Sequence, residues 1–306
     1  MFVVEDARRL AAVRIGLCTL LAVRLADADY GVVAGQPAAL FQPHGYMTLL
    51  DRMPSQSAAT ALQVAGVVAA LLAAAGLMVV VSLPVGIGCA LVLNGMLNSA
   101  GRVIVGDAVL VLCLIVLAGC GRAAGEAWSI RAPTWRVRTW TGRGAGAGPP
   151  RSAPIAAPPP IAGRRYGWPI RTAMVAIALA YFFAGYQKWR HSGIAWVTSD
   201  NIRWILYAAN DAKRHPNGVA RFVADRTGLA HVIAAAALLL ETSFPLVLLV
   251  PRLRWVLISG AVAMHIGVWL ALGLDYSAQA LTVVIVFVDW PAAVAHFRRS
   301  ATCAPR

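Results

Sequence analysis

Charge is scarce in this chain. Only 13% of its 306 residues are Asp, Glu, Lys or Arg, about half the share in an ordinary soluble domain. In its place, 59% of the residues are apolar or aromatic and the mean hydropathy is +0.68, which excludes a pair of soluble domains and points to a bilayer. Lysine is nearly absent: Lys188 and Lys213 are the only two among 27 basic residues. The five cysteines, at 18, 89, 113, 120 and 303, form no CxxC and no Cys/His ligand spacing, so neither a structural zinc nor a disulfide framework is expected. No GxSxG, no Walker loop and no GxGxxG occurs, which removes the sequence signatures of α/β-hydrolases, P-loop NTPases and dinucleotide-binding enzymes.

What is present is arginine and long apolar runs. The net charge of +14 would point to nucleic acid in a soluble chain; in an apolar one it reads as topology, and no nucleic-acid partner is expected. Eight apolar runs predict an all-α, polytopic membrane bundle of about eight helices, which at ~20 residues per crossing use about 160 residues. They lie near residues 10–26, 59–80, 83–97, 103–118, 168–189, 229–250, 253–272 and 278–295, with Ser82 and Pro84 breaking the second from the third. The second and sixth are long and free of arginine. One transmembrane domain is expected over residues 1–298, followed by a short basic tail at 299–306.

Arg8 and Arg9 before an apolar run, and the small-x-small Ala26-Asp27-Ala28, imitate a signal peptide. Arg14 and Arg24 inside that run favour a retained helix. The connection over residues 121–166 carries Arg122, Arg131, Arg136, Arg138, Arg143, Arg151, Arg164 and Arg165 against Glu126 alone. Its Gly/Ala/Pro-rich middle, 142–160, cannot build a core and reads as a flexible linker. The positive-inside rule places this loop, Arg252 and Arg254, and both termini in the cytoplasm of a plasma (inner) membrane protein. Outside, Asp27–Ser57 suits a folded loop, and Ile202, Ile205, Leu206 and Ala209 recur at helical spacing. That second segment is either an interfacial amphipathic helix or a short helix packed on the bundle.

An ionisable group at the bilayer centre costs roughly 2.5–3.5 kcal/mol on insertion scales, so each needs a partner or a task. Counting depth at 1.5 Å per residue puts Lys188 near the outer boundary, with Asp107 and His265 also in the outer half. These three, with Asn98 and Tyr181, are expected to converge on an outward-opening pocket; Tyr181 lies seven residues before Lys188, on the same helix face. Arg14 and Glu241 count as deeper and are expected to form a structural charge pair. Lys188 has two readings. Beside Trp189 and Trp196 it is an ordinary snorkelling anchor; desolvated, it is an amine able to act as a neutral base. His265 likewise reads as a packed histidine or a pocket group, and no metal is expected.

The run Ala180-Tyr-Phe-Phe-Ala-Gly-Tyr-Gln-Lys-Trp189 followed by Trp196-Val197 resembles the segment of vitamin K-dependent gamma-carboxylases in which Phe-x-Ala-Gly-x-x-Lys ends a helix and a Trp-Val pair follows. Ala12-Val-Arg-Ile-Gly16 is similar to the opening of that family's first helix, Trp128-Ser-Ile130 to its Trp-Ser-Val/Leu, and Ala263-Met-His265 to its Tyr-Phe-His; Glu241 falls where the family tends to carry an acid. Order and spacing run from about Arg8 to Pro291. The wider group is the horizontally transferred transmembrane domain (HTTM) family.

The resemblance implies a base at Lys188, with Gln187 standing where the family has a first lysine, and a reduced quinone such as menaquinol or vitamin K hydroquinone arriving from the bilayer. It does not carry over peptide glutamate carboxylation, because Leu97-Asn98-Ser99-Ala100-Gly101 replaces the family's Asn-Asn-His-Ser run and the family's large non-membrane domain has no counterpart in the chain. The expected enzyme is therefore a quinol-linked or peptide-modifying one, with Lys188 and His265 catalytic and Tyr181, Asp107, Asn98 and Gln187 around them. A second reading is a non-catalytic partner or anionic-lipid-binding protein, acting for example in maturation or export of a small peptide, through the arginine-rich loop and residues 199–210.

Overall fold

A computed structural model describes residues 4–100, 106–129, 162–211 and 218–295. The chain is all-α. In order, the helices are α1 (Ala7–Asp27), α2 (Tyr30–Ala34), α3 (Gln56–Ala74), α4 (Val79–Ser99), α5 (Ala108–Ala118), α6 (Arg164–Ser192), α7 (Ala195–Thr198), α8 (Asn201–Asp211), α9 (Gly218–Ala224), α10 (Thr227–Ser243), α11 (Leu246–Leu249), α12 (Arg254–Leu272) and α13 (Ser277–Phe287). Two short strands, β1 (Glu5–Asp6) and β2 (Ala162–Gly163), pair antiparallel and tie the start of α1 to the start of α6. The linker at 142–160 and Arg136, Arg138 and Arg143 fall outside the described residues, as does Lys213.

Every apolar run contains helix among the described residues, but the helices differ in length. The stretches α3, α4, α6 and 251–272 are long and apolar enough to cross a membrane; α9 and α10 make a fifth if counted together, bent by 99°. At 11 residues each, α5 and α13 rise about 16 Å, short of the ~30 Å hydrocarbon core. Several of these helices turn apolar side chains outward: Val64, Val232, Leu239 and Val256 each expose more than half their surface. In water such faces would associate, whereas lipid covers them without penalty. A continuous core lies between α1, α4, α5, α6 and α13, built on Leu10, Leu17, Leu83, Leu110, Ile170 and Val283.

The break between α3 and α4 comes earlier than Ser82 and Pro84. It lies at Gly76, whose φ is +76° and whose Cα leaves no room for a Cβ beside Ser129. Ser129 Oγ donates to the Gly76 carbonyl at 2.7 Å. Pro84 sits near the start of α4, and Ser82 Oγ donates to the carbonyls of Leu77 and Met78, satisfying acceptors that the turn leaves open. The run at 229–250 is interrupted by Phe244-Pro245 between α10 and α11, and the last run is interrupted at 288–289, where Asp289 accepts from Ala292 N–H to restart a helix.

The loop after α1 is folded, as its composition predicts. Met47 is buried against Gly95 of α4, and Tyr46 Oη donates to the Leu91 carbonyl at 2.5 Å. Helix α8 packs on the bundle through part of the expected stripe, with Ile202 beside the buried Leu206. Leu206 and Asn210 are buried, and Leu206 packs with Ala220, Ala224 and Leu272; Ile205 and Trp204 face outward.

Candidate functional site

Tyr181, Gly185 and Lys188 form one ridge of α6, spaced by four and three residues. That ridge meets α10 at Gly185. A Cβ there would stand 2.7 Å from Thr242 Cγ2 and 3.0 Å from Glu241 Cβ, so only glycine lets the two backbones approach this closely. The close approach brings Lys188 Nζ onto the Glu241 carboxylate: it donates to Oε1 at 2.6 Å and also to Oε2. Lys188 further sits over the Trp196 ring, 5.4 Å from its centroid, a cation–π contact. Glu241 is buried and Lys188 is half-buried.

Two turns down the same ridge, Tyr181 Oη and His265 Nε2 of α12 are 2.6 Å apart. Tyr181 stacks on Phe244, with centroids at 4.2 Å, and His265 stacks on Tyr276. Both Tyr181 and His265 are buried. Gln279 of α13 also reaches the Tyr181 hydroxyl, so α6, α10, α12 and α13 all contribute to one polar centre. Two buried atoms in it have no hydrogen-bond partner among the described residues: His265 Nδ1 and the Trp196 indole N–H. An unmade bond at a buried polar atom costs about 1–3 kcal/mol, and such atoms mark places where a ligand or water completes the set.

Arg14 and Glu241 do not pair. Depth counting placed them together because it assumed one uninterrupted crossing from 229 to 250; the break at Phe244-Pro245 and the bend before α10 put Glu241 beside Lys188 instead. Arg14, fully buried, spends its donors on backbone carbonyls: Nη1 on Ala124 at 2.5 Å and Ala127 at 3.2 Å, Nη2 on Trp128 at 3.0 Å and Ala74 at 3.3 Å. Asp107 does not join Lys188 either. It accepts from Arg24 Nε at 3.0 Å, and Arg24 Nη1 pairs with Asp275. Burial pushes the Asp275 carboxyl up, but the Ser277 hydrogen bonds together with Arg24 outweigh it and hold the carboxyl below the usual carboxylate range. Asn98 lies in the last turn of α4 and Gln187 is exposed on α6.

Sequence reading thus named both members of the Lys188–Glu241 and Tyr181–His265 pairs but joined Glu241 to the wrong cation. It missed Phe244 and Tyr276, whose ring contacts depend on helix breaks that leave no periodic signal, and the Arg24–Asp107–Asp275 set, whose members are far apart in the chain. Among the described residues, no group of three His, Cys, Asp or Glu side chains is placed to hold a metal ion. Comparison with family models, curated proteins and solved structures gives no match to the chain.

Proposed function

We propose that this chain is a multi-pass protein of the plasma (inner) membrane, with both termini cytoplasmic, and that Lys188 and Glu241 form a proton-transfer pair at an outward site of an HTTM or gamma-carboxylase-like enzyme. The observation that carries this reading is the two-pronged contact of Lys188 Nζ with a buried carboxylate. In a low-dielectric site a proton moving from ammonium to carboxylate leaves a neutral amine beside a neutral acid, with no net charge created. The neutral amine is a base; once it has taken the substrate's proton, Glu241 gives up its own proton to water and the ion pair is restored. Tyr181 and His265, hydrogen-bonded two turns away, orient the bound molecule, and the open valences of His265 Nδ1 and the Trp196 N–H receive its polar atoms. A reduced quinone, arriving through the bilayer, is the proton donor in this reading, and a small peptide is a second candidate substrate.

The test is menaquinol oxidation by the protein in lipid nanodiscs, with dissolved dioxygen supplied as the two-electron acceptor. Lys188→Ala and Lys188→Arg are both expected to lose activity at wild-type expression, since arginine keeps the charge and the Glu241 contact but cannot give up its proton. Equal activity in Lys188→Arg overturns the base.

A second reading, a non-catalytic lipid- or partner-binding protein, is favoured by the outward Trp204 and Phe222 on α8 and α9, which suit the headgroup region. Under it, Lys188→Arg and wild type behave alike, and Trp204→Ser releases the bound lipid or partner.

A further inference from the structure

Three arginines converge where α1, α6 and α12 begin. Arg9 Nη1 donates to Glu5 Oε1 at 2.7 Å, Arg171 Nη2 lies 3.6 Å from the same oxygen, and Arg254 lies within electrostatic range of all three. Glu5 is held in place by the β1–β2 pairing ahead of α6. Among the described residues, one carboxylate therefore answers three guanidiniums, none of which can shed its proton. The Nε atoms of Arg9, Arg171 and Arg254 are each buried and have no hydrogen-bond partner among the described residues. Arg9 is 6% exposed, whereas the Arg171 side chain is 35% exposed and Arg254 is half-buried; the cluster is closed behind α1 and reachable past α6 and α12.

We infer that Arg9, Arg171 and Arg254 form a binding site for a phosphate-bearing anion. The surplus of positive charge needs an anion, and Glu5 supplies a single negative charge, held by Arg9 and Arg171. A phosphate carries oxygens in several directions, so it can accept from guanidiniums on three different helices, and arginine forks match its edges. Depth agrees with this. Arg171 precedes Tyr181 by ten residues and Arg254 precedes His265 by eleven, so the cluster lies about 15 Å along parallel helices from the Tyr181–His265 pair, about half a hydrocarbon thickness. The anion is a lipid headgroup phosphate or free phosphate. This site uses none of the residues of the Lys188 centre, and the inference stands whether or not Lys188 is a base.

The experiment is native mass spectrometry of the full chain in neutral detergent, titrated with phosphatidylglycerol, zwitterionic phosphatidylcholine or inorganic phosphate. Wild type is expected to bind phosphatidylglycerol or inorganic phosphate in preference to phosphatidylcholine. Arg171→Gln and Arg254→Gln should each weaken that binding about ten-fold, the value of one charge-assisted contact. Arg252→Gln, an exposed neighbour, should leave it unchanged. Arginine-dependent binding of phosphatidylglycerol alone identifies a lipid headgroup; the same dependence for inorganic phosphate identifies the free anion, and either supports the site. Absence of binding in wild type, equal binding of phosphatidylcholine, or wild-type affinity in both glutamine variants overturns it. Arg254→Lys, which keeps the charge, covers the case in which Arg254→Gln does not fold.

Discussion

Arg14 illustrates how a cation is accommodated in an apolar bundle without a carboxylate. Its four carbonyl acceptors come from the end of α3 and from residues 124–128 after α5, where backbone oxygens lack helical partners and the helix ends are negative. Replacing it by methionine leaves those oxygens buried and unpaired. Arg14→Met is therefore expected to cost about 3 kcal/mol or more, read as a lower unfolding midpoint in detergent, and Arg14→Lys should not restore it, because one ammonium cannot fork to acceptors on both sides. Carbonyl acceptors have no signature in a sequence, which is why matching side chains by depth assigned Arg14 to Glu241. At Asp275 the carboxyl is held low, mainly against burial, by Ser277 and Arg24. A depressed carboxyl stabilises the fold above its unfolded-state value, about 3.9, and that contribution disappears as pH falls through the folded value. Between about pH 5 and about pH 3 the unfolding midpoint of wild type should fall more steeply than that of Asp275→Asn; parallel curves would show that Ser277 and Arg24 do not hold Asp275 in solution.

The helices show where periodicity is informative and where it is not. All eight apolar runs contain helix, since composition alone decides that a long apolar segment must satisfy its own backbone. Their ends depended on particular contacts: Ser129 against Gly76 ends α3 early, and Pro245 divides what reads as one continuous run. Within α8, helical spacing identified the helix and part of its inner face, because Ile202 and Leu206 pack inward as spaced while Ile205 faces out and the off-stripe Asn210 is buried. Gly185 is the element-scale counterpart of these contacts. Adding one methyl there forces α6 and α10 apart, since the obstacle includes the Thr242 backbone nitrogen at 3.0 Å. Gly185→Ala should destabilise by about 1–3 kcal/mol, the usual range for overpacking, and should reduce any Lys188-dependent activity along with it; a midpoint within 1 °C of wild type would mean that the helices are not in contact at this point.

Across the whole molecule, polar contacts separate into two ends. Arg14 joins the start of α1 to the ends of α3 and α5, and Glu5 draws in the starts of α6 and α12. At the far end Arg24 joins the end of α1 to the start of α5 and the α12–α13 turn, while Gln63 of α3 donates to the carbonyls of Leu25 and Ala28. This alternation agrees with helices that run back and forth. In a cysteine-free background, a membrane-impermeant thiol reagent applied to intact cells should label Ser57→Cys at the start of α3, and should label Arg252→Cys before α12 only after permeabilisation. Equal labelling of both from outside would contradict the proposed topology.

The scarcity of lysine makes the Lys188–Glu241 pair directly observable. With lysine side-chain nitrogens labelled by ¹⁵N, the chain yields signals from Lys188 and Lys213 alone, and Lys213→Arg assigns them. A Lys188 signal distinct from that of free lysine, moved by Glu241→Gln and moved again when reduced menaquinone is added, is the result predicted for a proton-transfer pair at a quinol site. A Lys188 signal at the free-lysine position, indifferent to Glu241→Gln and to the quinol, would contradict it.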